Sequence, residues 1–405
     1  FTYRGIKKYV PTEVISLSPT TTTYVGYDLD ADAYVEHNAA KFADLNAASG
    51  GKPNLHTSDE FAYIAKVVTD GSNITSIVDI RRKISRLDER VDIYVGNTTE
   101  TTTYADAAFN FPTIGEAFAA IDVWVNDVTT PERSYRIMVA GNCAETAEPL
   151  AVPVDGLIIE GYNMGGDALD PPTVTWATAA ALFNFNGKSN VQFKNLFLDP
   201  TVAAPTPGGT APETMAFTNL ANSTFLKPLI ENVRMFGVAS AFMYMPVVGG
   251  TAVDMIIRDC VADSVTNTGV TIIENNTGLL IENCEFKVGS NALKGSTYLA
   301  GIELTNMDGV VTLRDNKLDT NTGGTDVFVG GIKVVQTVDT GLMIDNNYMT
   351  ELDSGPGISI GANVANGWKV LNNTVMNTTD SAAANQTMGI KVESGYGLVQ
   401  GNHIS

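Results

Sequence analysis

From about Gly278 onward, apolar and polar positions alternate in short phrases that recur along the chain. Leu279-Leu280-Ile281-Glu282-Asn283, Val311-Thr312-Leu313-Arg314-Asp315, Leu342-Met343-Ile344-Asp345-Asn346 and Trp368-Lys369-Val370-Leu371-Asn372 are one phrase in different letters. Aligned on the closing Asn or Asp, its anchors are Asn195, Asn232, Asp259, Asn283, Asp315, Asn346, Asn372 and Asn402, with steps from 24 residues (259 to 283) to 37 (195 to 232). Apolar side chains hold the position four before the anchor (Val191, Met255, Leu279, Val311, Leu342, Trp368, Leu398) and three after it (Leu198, Met235, Phe286, Leu318, Met349, Val375). Period-two alternation marks strands. A strand that meets its equivalent only after a whole repeat pairs parallel to it, so the pattern predicts an all-β right-handed parallel β-helix, a solenoid.

The anchor has a mechanism: a tight corner needs a residue that tolerates the left-handed conformation, and Asn and Asp do so most cheaply after Gly. Stacked in register, their side chains can also hydrogen-bond along the ladder. Asn283 and Asn346 are expected to be buried there. A second phrase, Gly269-Val270-Thr271-Ile272, Gly301-Ile302-Glu303-Leu304, Gly331-Ile332-Lys333-Val334, Gly357-Ile358-Ser359-Ile360 and Gly389-Ile390-Lys391-Val392, keeps a nearly fixed distance to the anchor after it. The distance from each anchor to the next such Gly varies, so length variation gathers at one corner. Its segments, 288–300, 320–330, 351–356 and 377–388, are polar and Gly-rich. Stacked, they predict a ridge on which Tyr298, Asn321, Thr325 and Phe328 could receive a sugar ring; the plainer reading is a solvated loop edge.

Residues 1–90 do not follow the repeat. Strands are expected over 13–17, 22–27, 61–68 and 72–77, with Asp70-Gly71 as a hairpin turn. Residues 81–90 carry both charge signs and no wide apolar face, and read as an exposed linker or short helix. The solenoid body then spans 91–405. In 112–126, Thr113 and Glu116 form a capping box, and Ile114, Ala117, Phe118, Ile121 and Trp124 recur at helical spacing. That helix is expected to cap the open solenoid end. The Pro-, Thr-, Ala- and Gly-rich stretch 200–212 is a surface insertion.

The chain of 405 residues carries a formal net charge of −20. That balance argues against nucleic acid, heparin or anionic membrane as a partner. No apolar run reaches 18 residues, so membrane insertion is not expected. The first residue is Phe1 and no signal-peptide pattern follows, which suggests a processed chain or the ordered part of a longer one. Three cysteines exclude a disulfide scaffold. Cys260 and Cys284 each follow an anchor and should stack on adjacent coils about 4.8 Å apart; a disulfide can form at that spacing, but two reduced thiols in a ladder are the favoured reading, and Cys143 has no evident partner.

The succession of Ile93-Tyr94-Val95, the Phe111-Pro112-Thr113-Ile114-Gly115-Glu116 helix start, Tyr135-Arg136-Ile137-Met138-Val139 and Gly156-Leu157-Ile158-Ile159-Glu160-Gly161 resembles the opening of pectin-lyase-like β-helix proteins. Thr21-Thr22-Thr23-Tyr24-Val25, Ile64-Ala65-Lys66-Val67-Val68-Thr69-Asp70-Gly71 and Ile77-Val78-Asp79-Ile80-Arg81-Arg82 resemble the segment that precedes the receptor-binding part of bacteriophage tail fibres and tailspikes. These resemblances imply a homotrimeric adhesin of the virion tail. It would join other tail proteins through 1–90 and recognise a bacterial surface glycan or protein. A polysaccharide depolymerase, and a bacterial extracellular adhesin or filament subunit, are the alternatives.

For catalysis the sequence offers little. The Gly-His-Gly and Arg-Ile-Lys motifs of polygalacturonase-like β-helices are absent, and His37, His56 and His403 fall outside the middle of the solenoid. No Asp cluster of the Ca²⁺-binding kind is legible, and neither metal nor cofactor is expected. Before the anchors stand Lys194, Glu231, Arg258, Glu282, Arg314 and Asp345. Glu282 and Asp345, on next-but-one coils about 9.6 Å apart, could serve a glycosidase. Alternation with basic residues favours instead a ladder of opposite charges, each pair contributing ~0.2–0.5 kcal/mol. By the same parity Thr271, Glu303, Lys333, Ser359 and Lys391 read as a solvated face. Leu229, Ile256, Leu280, Met343 and Val399 form an outward apolar stripe, broken by Thr312 and Lys369, that suggests contact with another chain.

Overall fold

The computed structural model describes the backbone of six strands within 2–79. With side chains it describes most of 90–96, 109–126, 134–162, 172–201, 214–245, 251–288, 300–320, 330–350, 356–376 and 389–405, short segments inside these ranges excepted. The chain divides into two compact units, Phe1–Glu89 with Asp127–Arg133, and Arg90–Asn126 with Ser134–Ser405.

In the first unit Ala33–Asn38, Thr22–Asp28, Phe61–Thr69 and Ile74–Asp79 form one antiparallel sheet in that spatial order, and Thr2–Tyr3 pairs with Ile6–Lys7. The expected 13–17 strand, the Asp70-Gly71 turn and 81–89 lie outside the described residues.

The second unit is a parallel β-solenoid with three faces. Strands that end just before the anchors form the first: Arg90–Val95, Ser134–Val139, Ile158–Gly161, Gln192–Lys194, Leu229–Glu231, Ala252–Arg258, Asn276–Glu282, Met307–Arg314, the end of Gly330–Asp345, Trp368–Leu371 and Gly397–Gln400. Strands that follow the anchors, from Cys143–Glu145 through Phe197–Pro200, Glu285–Val288, Lys317–Thr320 and Tyr348–Thr350 to His403–Ile404, form the second. Beyond the variable corner, strands such as Met215–Thr218, Ala239–Met245, Ala300–Leu304 and Ile358–Asn363 form the third. Val261–Ile272 runs through that corner without a loop and belongs to the second face at one end and the third at the other.

The anchors take the left-handed corner: φ is 53° at Asn195, 52° at Asn283 and 57° at Asp315. Their side chains bond upward, Asn283 Nδ2 donating to Asp259 Oδ1 at 2.6 Å and Asn346 Nδ2 to Asp315 Oδ1 at 2.6 Å. Two expectations need correction. Asn283 and Asn346 are exposed, because the left-handed turn carries the side chain out over the corner. The last anchor is Gly401, with φ 68°, and Asn402 belongs to the next, inward column.

That inward column, one place after the anchor, changes character along the solenoid. It runs Leu196, Val233, Cys260, Cys284, Asn316, Asn347, Asn373 and Asn402. Both cysteines are free and buried, as is Cys143. Burial pushes the Cys143 and Cys284 thiols well above the usual range, so they behave as small apolar groups. From Asn316 on, the column is a buried amide ladder. Asn347 Oδ1 accepts from Asn316 N (3.1 Å) and Nδ2 (2.9 Å), while Asn347 Nδ2 donates to Leu313 O and to Asn373 Oδ1. Asn373 repeats the arrangement with Asn402.

The core fills with aromatic rings in the earlier coils, where Phe183, Phe193 and Phe217 meet at 4.7–5.7 Å between centroids. Later coils use mainly Ile, Leu, Val and Met, with Phe286 and Trp368 among them. The glycines of the second phrase explain their own recurrence. A Cβ on Gly301 would stand 2.7 Å from Leu318 Cδ1, and one on Gly357 2.6 Å from both Cγ atoms of Val375. Each glycine thus makes room for the bulky side chain three places after the next anchor.

At the first coil, helix α1 (Ile114–Asn126) buries Ile114, Ala117, Phe118 and Ile121 against the solenoid. Trp124 packs with Phe109, Phe111 and Tyr135. Glu116 N donates to Thr113 Oγ1 at 3.2 Å, half of the expected capping box. The helix's other first donors go to the buried Glu145, whose Oε1 accepts from Ile114 N (2.7 Å) and Oε2 from Gly115 N (3.0 Å). A carboxylate on a helix N-terminus satisfies both the free N–H groups and the helix dipole. No helix among the described residues is long and apolar enough to cross a membrane.

Candidate functional site

The charges before the anchors pair along the first face. Glu160, Lys194, Glu231, Arg258, Glu282, Arg314 and Asp345 are register neighbours in turn. Arg258 holds Glu231, Arg314 holds Glu282, and the Glu282 hydrogen bond raises the Arg314 guanidinium above its ordinary value. Asp345 Oδ1 accepts from Asn372 Nδ2 at 3.0 Å. Glu282 and Asp345 are therefore both engaged in the ladder. Beside them the stripe of Leu229, Ile256, Leu280 and Met343 is half-buried and in register through Thr312 and Lys369. Its last member is Leu398, which pairs with Lys369; Val399 pairs with Val370 and faces inward.

The variable corner has two walls. Its lead-in wall is the outer side of the second face. Here Lys287 Nζ donates to Asp263 Oδ1 at 3.1 Å, Lys317 Nζ meets Glu285 at 2.8 Å and Asp319 at 2.9 Å, and Thr350 Oγ1 donates to Asp319 Oδ1 at 2.7 Å. The Lys317 ammonium, held by both carboxylates, titrates above the ordinary lysine range. Upstream on the same wall Phe197 and Phe236 stack at 5.6 Å with 18° between planes, and Phe236 is 45% exposed. Tyr348, also exposed, stands at the other end of the network.

The lead-out wall is the outer side of the third face. Tyr244, Thr271, Glu303 and Lys333 follow one another in register between core positions such as Val270, Ile272, Ile302 and Leu304. Alternation alone made Thr271, Glu303 and Lys333 part of a solvated face, and for Thr271 and Glu303 that expectation fails. Tyr244, Thr271 and Glu303 are all buried. Ala181, Met215, Ala241 and Tyr244 form a second apolar cluster, separate from the main core. Thr271 Oγ1 donates to Thr268 Oγ1 at 2.9 Å, and Thr268 Oγ1 to Ala300 O at 2.8 Å. Lys333 Nζ donates to Glu303 Oε1 at 2.8 Å. Period-two parity reports which side of a strand a residue takes, but not whether that side is covered.

Tyr298, Asn321, Thr325 and Phe328 lie outside the described residues. Among those described, no cluster of three or more His, Cys, Asp or Glu is placed to hold a metal.

No family model matches the chain, and no curated protein matches its sequence. Solved structures resemble it distantly. DFA-IIIase from Arthrobacter chlorophenolicus without its lid is 15% identical over 78% of this chain and 89% of its own, with a TM-score of 0.41. The tailspike protein of an Acinetobacter phage is 13% identical over 82% of this chain and 62% of its own, with a TM-score of 0.38. The A-module of an Azotobacter vinelandii mannuronan C-5 epimerase is 13% identical over 71% of this chain and 91% of its own, with a TM-score of 0.24. At these scores each is a likeness and carries no functional argument.

Proposed function

We propose that the chain is an extracellular adhesin of the phage tail fibre or tailspike kind, whose β-solenoid binds a bacterial surface glycan along its variable corner. The observation that carries this reading is the stacked Phe197–Phe236 pair, left half in water on the lead-in wall beside a row of hydrogen-bonding side chains. Exposed aromatic faces with polar neighbours suit a sugar ring, which offers C–H faces and hydroxyl edges together. A rigid scaffold that confines its length changes to one corner is built for variable recognition. The resemblance of 21–25, 64–71 and 77–82 to tail-fibre segments supports the virion setting, with 1–90 as the part that joins other tail proteins.

The test is binding to an array of bacterial capsule and lipopolysaccharide oligosaccharides. Changing Phe197 and Phe236 together to Ala is expected to leave melting nearly unchanged and weaken binding about tenfold or more, each tenfold being about 1.4 kcal/mol. Equal binding by parent and variant would remove the site. Depolymerisation is the second activity to score: with Glu282 and Asp345 tied into the ladder, no new reducing ends and no unsaturated uronate are expected. Turnover lost in Glu282→Gln or Asp345→Asn would reverse this.

Assembly as a homotrimer through the apolar stripe belongs to the same proposal. Light scattering is expected to give three chains per particle, and Asp at both Leu280 and Met343 to weaken the assembly. A monomeric parent excludes it.

A further inference from the structure

The lead-out wall holds a carboxylate whose placement packing alone does not explain. Glu303 sits between Ile302 and Leu304, both fully buried in the core, so its backbone cannot turn the side chain elsewhere. Its residue exposure is 6%. Oε1 is held by Lys333, whereas Oε2 is buried without a hydrogen-bond partner. Thr218 Oγ1, on a strand of the same face, is buried and unpartnered as well. A buried acceptor left unmatched is destabilising, and a carboxylate more so than a hydroxyl. Native proteins hold few such groups, and those they hold call for an explanation.

We propose that Glu303 is the polar centre of a glycan subsite on the outer side of the third face, with Oε2 accepting a hydroxyl of an uncharged sugar residue. This rests on the glycan-binding reading above and names its ligand class. Oε2 can only accept, so its partner must be a donor, and a sugar hydroxyl supplies one. An anionic residue would meet the carboxylate itself, already paired through Oε1. Tyr244, two coils away at about 9.6 Å, adds an aromatic edge beside the cluster of Met215 and Ala241. The Thr271 hydroxyl donates to Thr268 Oγ1 and the Thr268 hydroxyl to Ala300 O, so neither proton is given to Glu303. They leave Oε2 to the ligand.

The experiment separates a binding group from a structural ion pair. Glu303→Gln keeps shape and removes charge; Glu303→Met removes polarity at similar volume. Lys333 has a side chain 45% exposed and stays hydrated without its partner. If Glu303 serves a ligand, both variants keep or raise the melting temperature, since residues retained for function are often costly to stability. Binding of neutral oligosaccharides on the array then falls about tenfold or more, while Arg314→Ala on the first face binds like the parent. A drop in melting temperature in both variants, with or without loss of binding, would make Glu303 a structural strut and overturn the proposal. Undiminished binding by Glu303→Gln would also overturn it, while leaving the adhesin reading intact. A parent that binds no glycan would remove both.

Discussion

Replacing Asn347 by Ala is expected to destabilise the solenoid by about 3 kcal/mol, whereas Asn346→Gly, one residue away, should change it by less than about 1 kcal/mol. The two side chains serve different purposes. Asn347 is buried and its Oδ1 is the acceptor for both the backbone N and the side-chain Nδ2 of Asn316; truncation strands two donors in the interior and opens a small void. Asn346 is exposed, and its chief contribution is a φ of 52°, which Gly adopts without strain. Denaturant midpoints of the two variants decide the matter. Equal losses would mean that the outer side-chain bond from Asn346 to Asp315 holds the later coils together as firmly as the inner amide ladder does.

Gly301→Ala is expected to cost about 2–3 kcal/mol by overpacking, and Leu318→Ala about 3 kcal/mol by leaving a cavity. The double variant should be about as stable as Leu318→Ala alone. All three atoms nearest a Cβ at Gly301 belong to the Leu318 side chain, so removing that side chain removes the clash. Non-additivity of about 2 kcal/mol in a double-mutant cycle is the signature. Simple addition of the two losses would show that Gly301 is required for its backbone and not for the space it leaves.

Much of this architecture was legible because the repeat spells it out. The apolar positions four before and three after the anchor are core, the Asn and Asp of the phrase take the left-handed corner, and alternating charges pair across parallel strands. The errors share a cause. Gly401 replaces Asn at the last corner, so aligning on the letter Asn chose Asn402 and shifted Val399 and Leu398 to the wrong sides. The inner ladder was hidden for a related reason: in the column after the anchor Leu, Val, Cys and Asn share no chemistry, and only their register unites them. Cys260 and Cys284 were the visible trace of it. Burial of Tyr244, Thr271 and Glu303 could not be read from alternation, which gives the side of the strand a residue takes and not its surroundings. The lead-in wall was missed because Phe197 and Phe236 are 39 residues apart (236 minus 197) and meet only through stacking of coils.

The amide ladder also gives the solenoid a direction. In each bond the donor lies on the earlier coil and the acceptor Oδ1 on the later one: Asn316 gives to Asn347, Asn347 to Asn373, and Asn373 to Asn402. A newly formed coil thus holds its amide protons ready for a successor not yet in place, and the arrival of that successor satisfies both N–H groups in one step. Over these last coils the ladder closes like a zipper whose slider starts at Asn316 and travels toward Asn402, in the order in which a ribosome releases the polypeptide. Translation order and bonding order coincide, so each coil can template the next without waiting for the whole chain.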